Sequence, residues 1–185
     1  MQFIPCTMPT VLALLTVMVA GLFPGLAAAQ PTVEDMLPRL GGYEWTLDPA
    51  RFKDPGPDTD LTLMAIVKDT KQPNYIRFRA LELLRLYPTD RVADFLESTL
   101  ATAPVSSFVR RALESHATAF AKTRTARVER LAGDLLSHND PNVRIQAAQI
   151  LRSLKTSTAE ALYRQRLEKV PESWEREQWQ QESSR

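Results

Sequence analysis

The chain has 185 residues, 23 basic against 22 acidic, two histidines and one cysteine, for a formal net charge of +1. Such balance gives no bulk field to recruit nucleic acid or anionic lipid. A lone cysteine, Cys6, excludes an internal disulfide framework.

The first 29 residues contain no Asp, Glu, Lys or Arg. Val11 to Phe23 is apolar apart from Thr16 and Gly21, and Ala27-Ala28-Ala29 closes the segment. An apolar stretch of about 7–15 residues ahead of an A-x-A site reads as a secretory signal peptide, and it is short for a spanning helix. Met1 to Thr10 departs from that pattern in having no Lys or Arg, which leaves a misassigned start, an uncleaved anchor or a buried N-terminal helix as alternatives. Cys6 precedes the apolar run instead of ending it, so a lipoprotein site does not fit. Residues 1–29 are therefore expected to be removed on export. That gives a periplasmic or secreted address, no stable membrane span afterwards, and a cysteine-free chain held together by burial alone.

Residues 30–59 do not repeat and read as an irregular N-terminal cap. Thr32 to Leu40 suits a short helix with Thr32 as N-cap, broken by Gly41-Gly42. Pro49, Pro55 and Pro57 are mixed with the aromatic anchors Tyr43, Trp45 and Phe52. The cap would cover the exposed apolar edge of the first repeat, or serve as a client-binding loop.

Residues 60–155 are self-similar. Arg77, Arg110 and Arg144 recur 33 and then 34 residues apart, each after Ile76, Val109 or Val143. The same steps align Ala80 with Leu113 and Ala147, Leu83 with His116 and Ile150, and Leu84 with Ala117 and Leu151. A fixed period of about 20–50 residues marks a repeat array. Helical hairpins can be drawn over Asp60–Lys68 with Tyr75–Leu86, over Asp90–Thr99 with Ser106–Phe120, and over Val128–Leu136 with Val143–Leu154. Within the last, Val143, Ala147, Ile150, Leu151 and Leu154 form one helical stripe, and Asp140-Pro141 supplies its start.

These residues resemble the HEAT-repeat family in its bacterial HEAT-like form. Asp140-Pro141-Asn142-Val143-Arg144, followed by Ala147-Ala148 and Ile150-Leu151, is the closest match. The first repeat has Gln72 in place of the aspartate and one extra turn residue. The second has Pro104 six before Arg110 and His116 at an apolar position. The resemblance implies an all-α fold, a short right-handed α-solenoid of about three hairpins plus capping segments, and it is silent on chemistry. Thr158 to Val170, with Ala161, Leu162 and Leu167, reads as a capping helix over residues 156–170. Residues 171–185 read as a partly disordered tail that holds Trp174 and Trp179, with the alternative that one tryptophan packs on the last hairpin or on a partner.

Phosphate loops, nucleophile elbows and metal-ligand spacings are not visible, so neither an enzyme nor a cofactor is expected. His138 reads as a solvated turn residue, and His116 as an interior histidine or a pH-sensitive polar contact. The resemblance assigns Arg77, Arg110 and Arg144 to bracing one hairpin on the next, with Asp140 as the partner of Arg144. Lys122, Arg124, Arg127 and Arg130 form the densest basic run. They read as a solvated helix start or, alternatively, as the phosphate-tracking face of a nucleic-acid-binding or enzyme-accessory protein. At about 100° per residue, the positions opposite the apolar stripes are Phe78, Glu82 and Arg85, then Arg111, Ser115 and Thr118, then Ile145, Gln149 and Arg152. In HEAT arrays such residues line the concave side, which makes them the candidate contact surface for a protein or peptide client.

Overall fold

The computed structural model describes residues 29–52, 56–170 and 172–180. The segment read as a signal peptide, up to residue 28, lies outside them. Among the described residues the secondary structure is helical, without strands, and no helix is long and apolar enough to cross a membrane.

Helix α1, Val33–Leu40, starts where Thr32 and Asp35 close a reciprocal capping box, and it buries Met36 and Leu40 completely. A 3-10 turn at Pro49–Phe52 seats Phe52 in the core. Helices α2 (Thr59–Lys68) and α3 (Asn74–Leu83, extended by a 3-10 turn at Leu84–Leu86) form a first pair. Helices α4 (Asp90–Thr102) and α5 (Ser106–Phe120) form a second, and α6 (Thr125–Leu135) and α7 (Pro141–Leu154) a third. Helices α8 (Ser157–Leu167) and α9 (Ser173–Gln180) complete the order. Side-chain caps at Thr89, Asp140 and Thr156 accept N–H bonds from the first turn of each helix, which is why α4, α7 and α8 begin there.

Helix α3 packs on α5, α5 on α7 and α7 on α9, while α6 packs on α8 and α1 on both α2 and α3. One apolar cluster runs from Met36 and Phe52 to Trp179. Burying one leucine is worth about 1.5–3 kcal/mol, against at most about 1 kcal/mol for an exposed ion pair, so the aligned stripes set the stacking and the charges adjust it. Gly133 in α6 faces Leu162 of α8, and a Cβ there would stand 3.2 Å from Leu162 Cδ1. The missing side chain lets the two helices close.

Polar contacts repeat at close to the same interval as the apolar positions. Ser115 Oγ donates to Leu81 O across 34 residues, Arg91 binds Asp60 across 31, and Arg127 binds Glu97 across 30. Arg166 Nε reaches Leu136 O across 30. Units that are neighbours in sequence are thus bonded neighbours in space.

Both segments flanking the repeats pack on them. The 171–185 segment, read from composition as a tail, contains α9, with Glu175 and Trp179 both fully buried. Its buried residues sit four apart on one short helix, a signal masked by the surrounding Gln and Glu. The 30–59 segment is irregular between its short helices but firmly tied. Arg79 Nη1 donates to Leu40 O and Gly42 O (2.6 and 3.0 Å), Tyr87 Oη to Phe52 O, and Thr62 Oγ1 to Pro31 O.

Candidate interaction surface

The nine residues placed opposite the apolar stripes do not form one open face. Phe78, Glu82 and Arg111 do come together. The Arg111 guanidinium lies 4.6 Å over the Phe78 ring and forms an ion pair with Glu82, and Phe78 meets Phe108 at 4.7 Å between ring centroids. This cluster joins α3 to α5 and is half-buried. Arg85 is half-buried in the 3-10 turn, Thr118 is exposed, and Ile145 and Gln149 are half-buried on α7.

Ser115 is a correction. It is 1% exposed and spends its hydroxyl on Leu81 O at 3.1 Å. Helix α5 has α3 on one flank and α7 on the other, so a position opposite its own stripe still turns toward a neighbour. A two-sided view of the helix misses that. Arg152 is also committed, donating to Trp179 O and Gln180 O at 3.1 and 2.9 Å with its guanidinium 5.6 Å over Tyr163. Helix α9 therefore covers the end of α7 that was expected to stay open.

The three recurring arginines take three different roles. Arg77 donates to Val67 O at 2.9 Å within its own pair and lies 4.5 Å over Phe108 of the next. Arg144 donates to His138 O and Asn139 O, and it holds the buried Glu175 through two bonds. Asp140, expected to pair with Arg144, instead caps α7 through the Asn142 N–H at 2.8 Å. Its carboxyl sits below the usual range because the Ser106 hydroxyl and Asn142 both donate to it. Arg110 is exposed and forms no hydrogen bond or ion pair among the described residues. The turn ahead of Arg110 also differs from the one ahead of Arg144. Helix α4 runs on to Thr102, so only the three residues Ala103-Pro104-Val105 separate it from α5.

Half of the basic run is internal. Arg124 pairs with Asp90 and stacks over Phe120, and Arg127 donates to Glu97 at 2.8 Å, while Lys122 and Arg130 remain exposed. His138, expected in solvent, is half-buried, and its Nδ1 accepts the Asp140 N–H at 3.0 Å.

His116 is fully buried, and its ring lies 5.0 Å from that of Phe120. Its Nε2 approaches Glu97 Oε1 at 3.3 Å, but the alignment is poor and neither ring nitrogen completes a hydrogen bond. Burial lowers its pKa below the ordinary histidine value. Glu97 opposes that shift, while Arg124 and Arg127 add to it. Glu97 itself is held below the usual carboxylate range chiefly by Arg127. The Asp60–Arg91 cluster was also missed. There the buried Asp60 carboxylate accepts from Arg91 and Thr89, and these bonds outweigh burial and lower its pKa. Both clusters join positions 30 or 31 residues apart, three or four short of the repeat step, so aligning the repeats does not pair them.

Among the described residues no group of His, Cys, Asp and Glu is placed to hold a metal ion. No protein-family model, curated protein or solved structure matches the chain.

Proposed function

We propose that this chain is an exported, non-enzymatic interaction module: a short right-handed α-solenoid of HEAT-like hairpins that holds a protein or peptide client on its second-helix face. The observation that carries this reading is the Phe78–Glu82–Arg111 cluster, a half-buried apolar ring flanked by charge and bridging two consecutive hairpins. Arginine and aromatic side chains of this kind anchor interfaces when water is excluded around them. Polar bonds repeating at about 30–34 residues support the solenoid arrangement, because each unit then contacts its neighbours in register. Helix α9 shortens the available face, so the contact surface centres on α3 and α5, with Arg85 and Thr118 at its margin. The apolar run ending in Ala27-Ala28-Ala29 supports a periplasmic or secreted address. Commitment of Arg124 and Arg127 to Asp90 and Glu97 weighs against a phosphate-tracking stripe.

The test compares the full chain with an Arg85→Glu/Thr118→Arg variant, which changes the margin without touching the core. Cross-linked partners captured in the native compartment should be lost by the variant while its melting temperature stays within about 2 °C. An identical partner set for both proteins would remove this reading.

A further inference from the structure

Removal of the leader after Ala29 leaves a chain that begins Gln30-Pro31. The inference drawn here rests on that exported reading. Residues 29–31 do not trail away from the fold. Pro31 is buried, and its carbonyl accepts the Thr62 hydroxyl at 2.7 Å. The Gln30 side chain turns to the same hydroxyl, with Nε2 donating to Thr62 Oγ1 at 3.3 Å. Gly56 stands against the same residues: a Cβ there would lie 2.8 Å from Ala29 O and 3.1 Å from Pro31 Cδ. The new terminus therefore forms beside Gly56 and Thr62, at the start of α2.

A neutral group fits that place better than a cation. A helix start carries partial positive charge, so an ammonium beside it is disfavoured. Asp58 and Asp60, the carboxylates of that helix start, are both held by Arg91. Asp35 of α1 is spent in its capping box with Thr32. The uncharged amine is also the nucleophilic form, and at a terminal glutamine it has an electrophile in reach, its own side-chain amide. The length of the glutamine side chain makes the product a five-membered ring, which asparagine is too short to close.

We infer that Gln30 becomes pyroglutamate once the leader is removed. The α-nitrogen bonds to Cδ, and the Cδ–Nε2 bond breaks. A proton passes from the attacking nitrogen to the leaving one, which departs as ammonia, so the step needs no co-reactant. The Nε2–Thr62 bond does not hold the amide back, because it is only part-buried and 3.3 Å lies beyond the usual range of about 2.7–3.2 Å. Thr62 keeps its bond to Pro31 O, so the lactam stays docked on α2. The product is a neutral terminus without an α-amine for an aminopeptidase to grip.

The test expresses the full chain with its own leader, recovers the protein from the periplasm or medium, and reads its intact mass before any digestion. Tandem mass spectrometry of the peptide Gln30 to Arg39 then places the change. The bulk of the protein should start at residue 30 and be lighter than its unmodified sequence by about 17 Da, the mass of ammonia. Gln30→Asn protein should start at the same residue with its unmodified mass. Wild-type protein starting at Gln30 with full mass overturns the inference and leaves the export reading standing. A chain starting at Thr32 also overturns it, since the amine has then attacked the Pro31 carbonyl. Recovered protein that starts at Met1, or at any other residue ahead of Gln30, overturns both readings.

Discussion

The second and third helix pairs align about Arg110 and Arg144, yet they use the shared positions in opposite ways. At the arginine position the third pair has Arg144, reaching back to its own turn and forward to a buried carboxylate on α9, whereas the second has Arg110 in solvent. At the core position the third pair has Ile150 and the second has His116 without a completed hydrogen bond. The second pair is enclosed on both flanks, with α3 and α7 packed on α5, and tolerates polar residues because its neighbours hold it in place. The third carries α9, the last described helix, and holds it through a specific ion pair. A position's role is thus set by the element stacked beyond it, and less by its place in the motif.

Arg144→Ala should give the largest effect. Glu175 is fully buried with Arg144 as its ion-pair partner, and removing one member of a buried pair typically costs about 3–5 kcal/mol. Helix α9 packs chiefly on α7 and can release before the rest unfolds, which caps the global loss. The signature is therefore local: a red-shifted Trp179 emission and rapid proteolysis between α8 and α9, with a smaller fall in melting temperature. Adding Glu175→Ala should recover part of the loss, because the stranded charge is gone. If Arg144→Ala keeps Trp179 buried and protected, the pair is not what docks α9.

His116→Leu should act oppositely, raising the melting temperature by about 2–6 °C, because an unsatisfied buried polar group costs about 1–3 kcal/mol. The pH dependence has a definite sign. The facing groups are Glu97 from α4, Arg127 from α6 and Arg124 just before it, and burial with the two arginines keeps the ring neutral when folded. At neutral pH and above, both states are neutral and the histidine contributes no pH dependence. Below the unfolded value of about 6.5 the unfolded chain binds a proton that the folded chain refuses. Stability then falls as pH drops, until the lowered folded pKa is reached. The leucine variant should lose this slope between about pH 7 and 5. A variant melting lower than wild type, or keeping the slope, would mean that Glu97 secures the ring as a cation.

The helices themselves were legible because apolar stripes at helical spacing are long and regular, and Thr32 and Asp140 are unambiguous caps. The cross-pair partners were not. Glu175, Glu97 and Asp60 are ordinary charged residues in sequence, and only stacking brings each to its arginine. Helix α9 was hidden for the same reason, since its two buried residues are Glu175 and Trp179 in an otherwise polar stretch. At the candidate surface, single-helix geometry put Phe78, Glu82 and Arg111 on one face, and in the fold the three meet across α3 and α5. It failed at Ser115 and Arg152, where a third helix decides which side chains stay exposed.

The smallest expected effect sharpens the comparison most. Arg110 occupies the position of Arg144, and the motif alone would give it the same bracing role. In the fold it is exposed, without hydrogen bonds or ion pairs among the described residues. Surface substitutions away from specific contacts usually stay within about 0.5 kcal/mol. Arg110→Ala should therefore leave the denaturation midpoint of the full chain unchanged, measured beside Arg144→Ala under the same conditions. A loss above about 1 kcal/mol, well outside that range, would mean that Arg110 braces the second turn after all and that the repeat position alone dictates the role. A loss within the smaller bound would show that the third pair's brace exists because α9 supplies a carboxylate, not because the motif supplies an arginine.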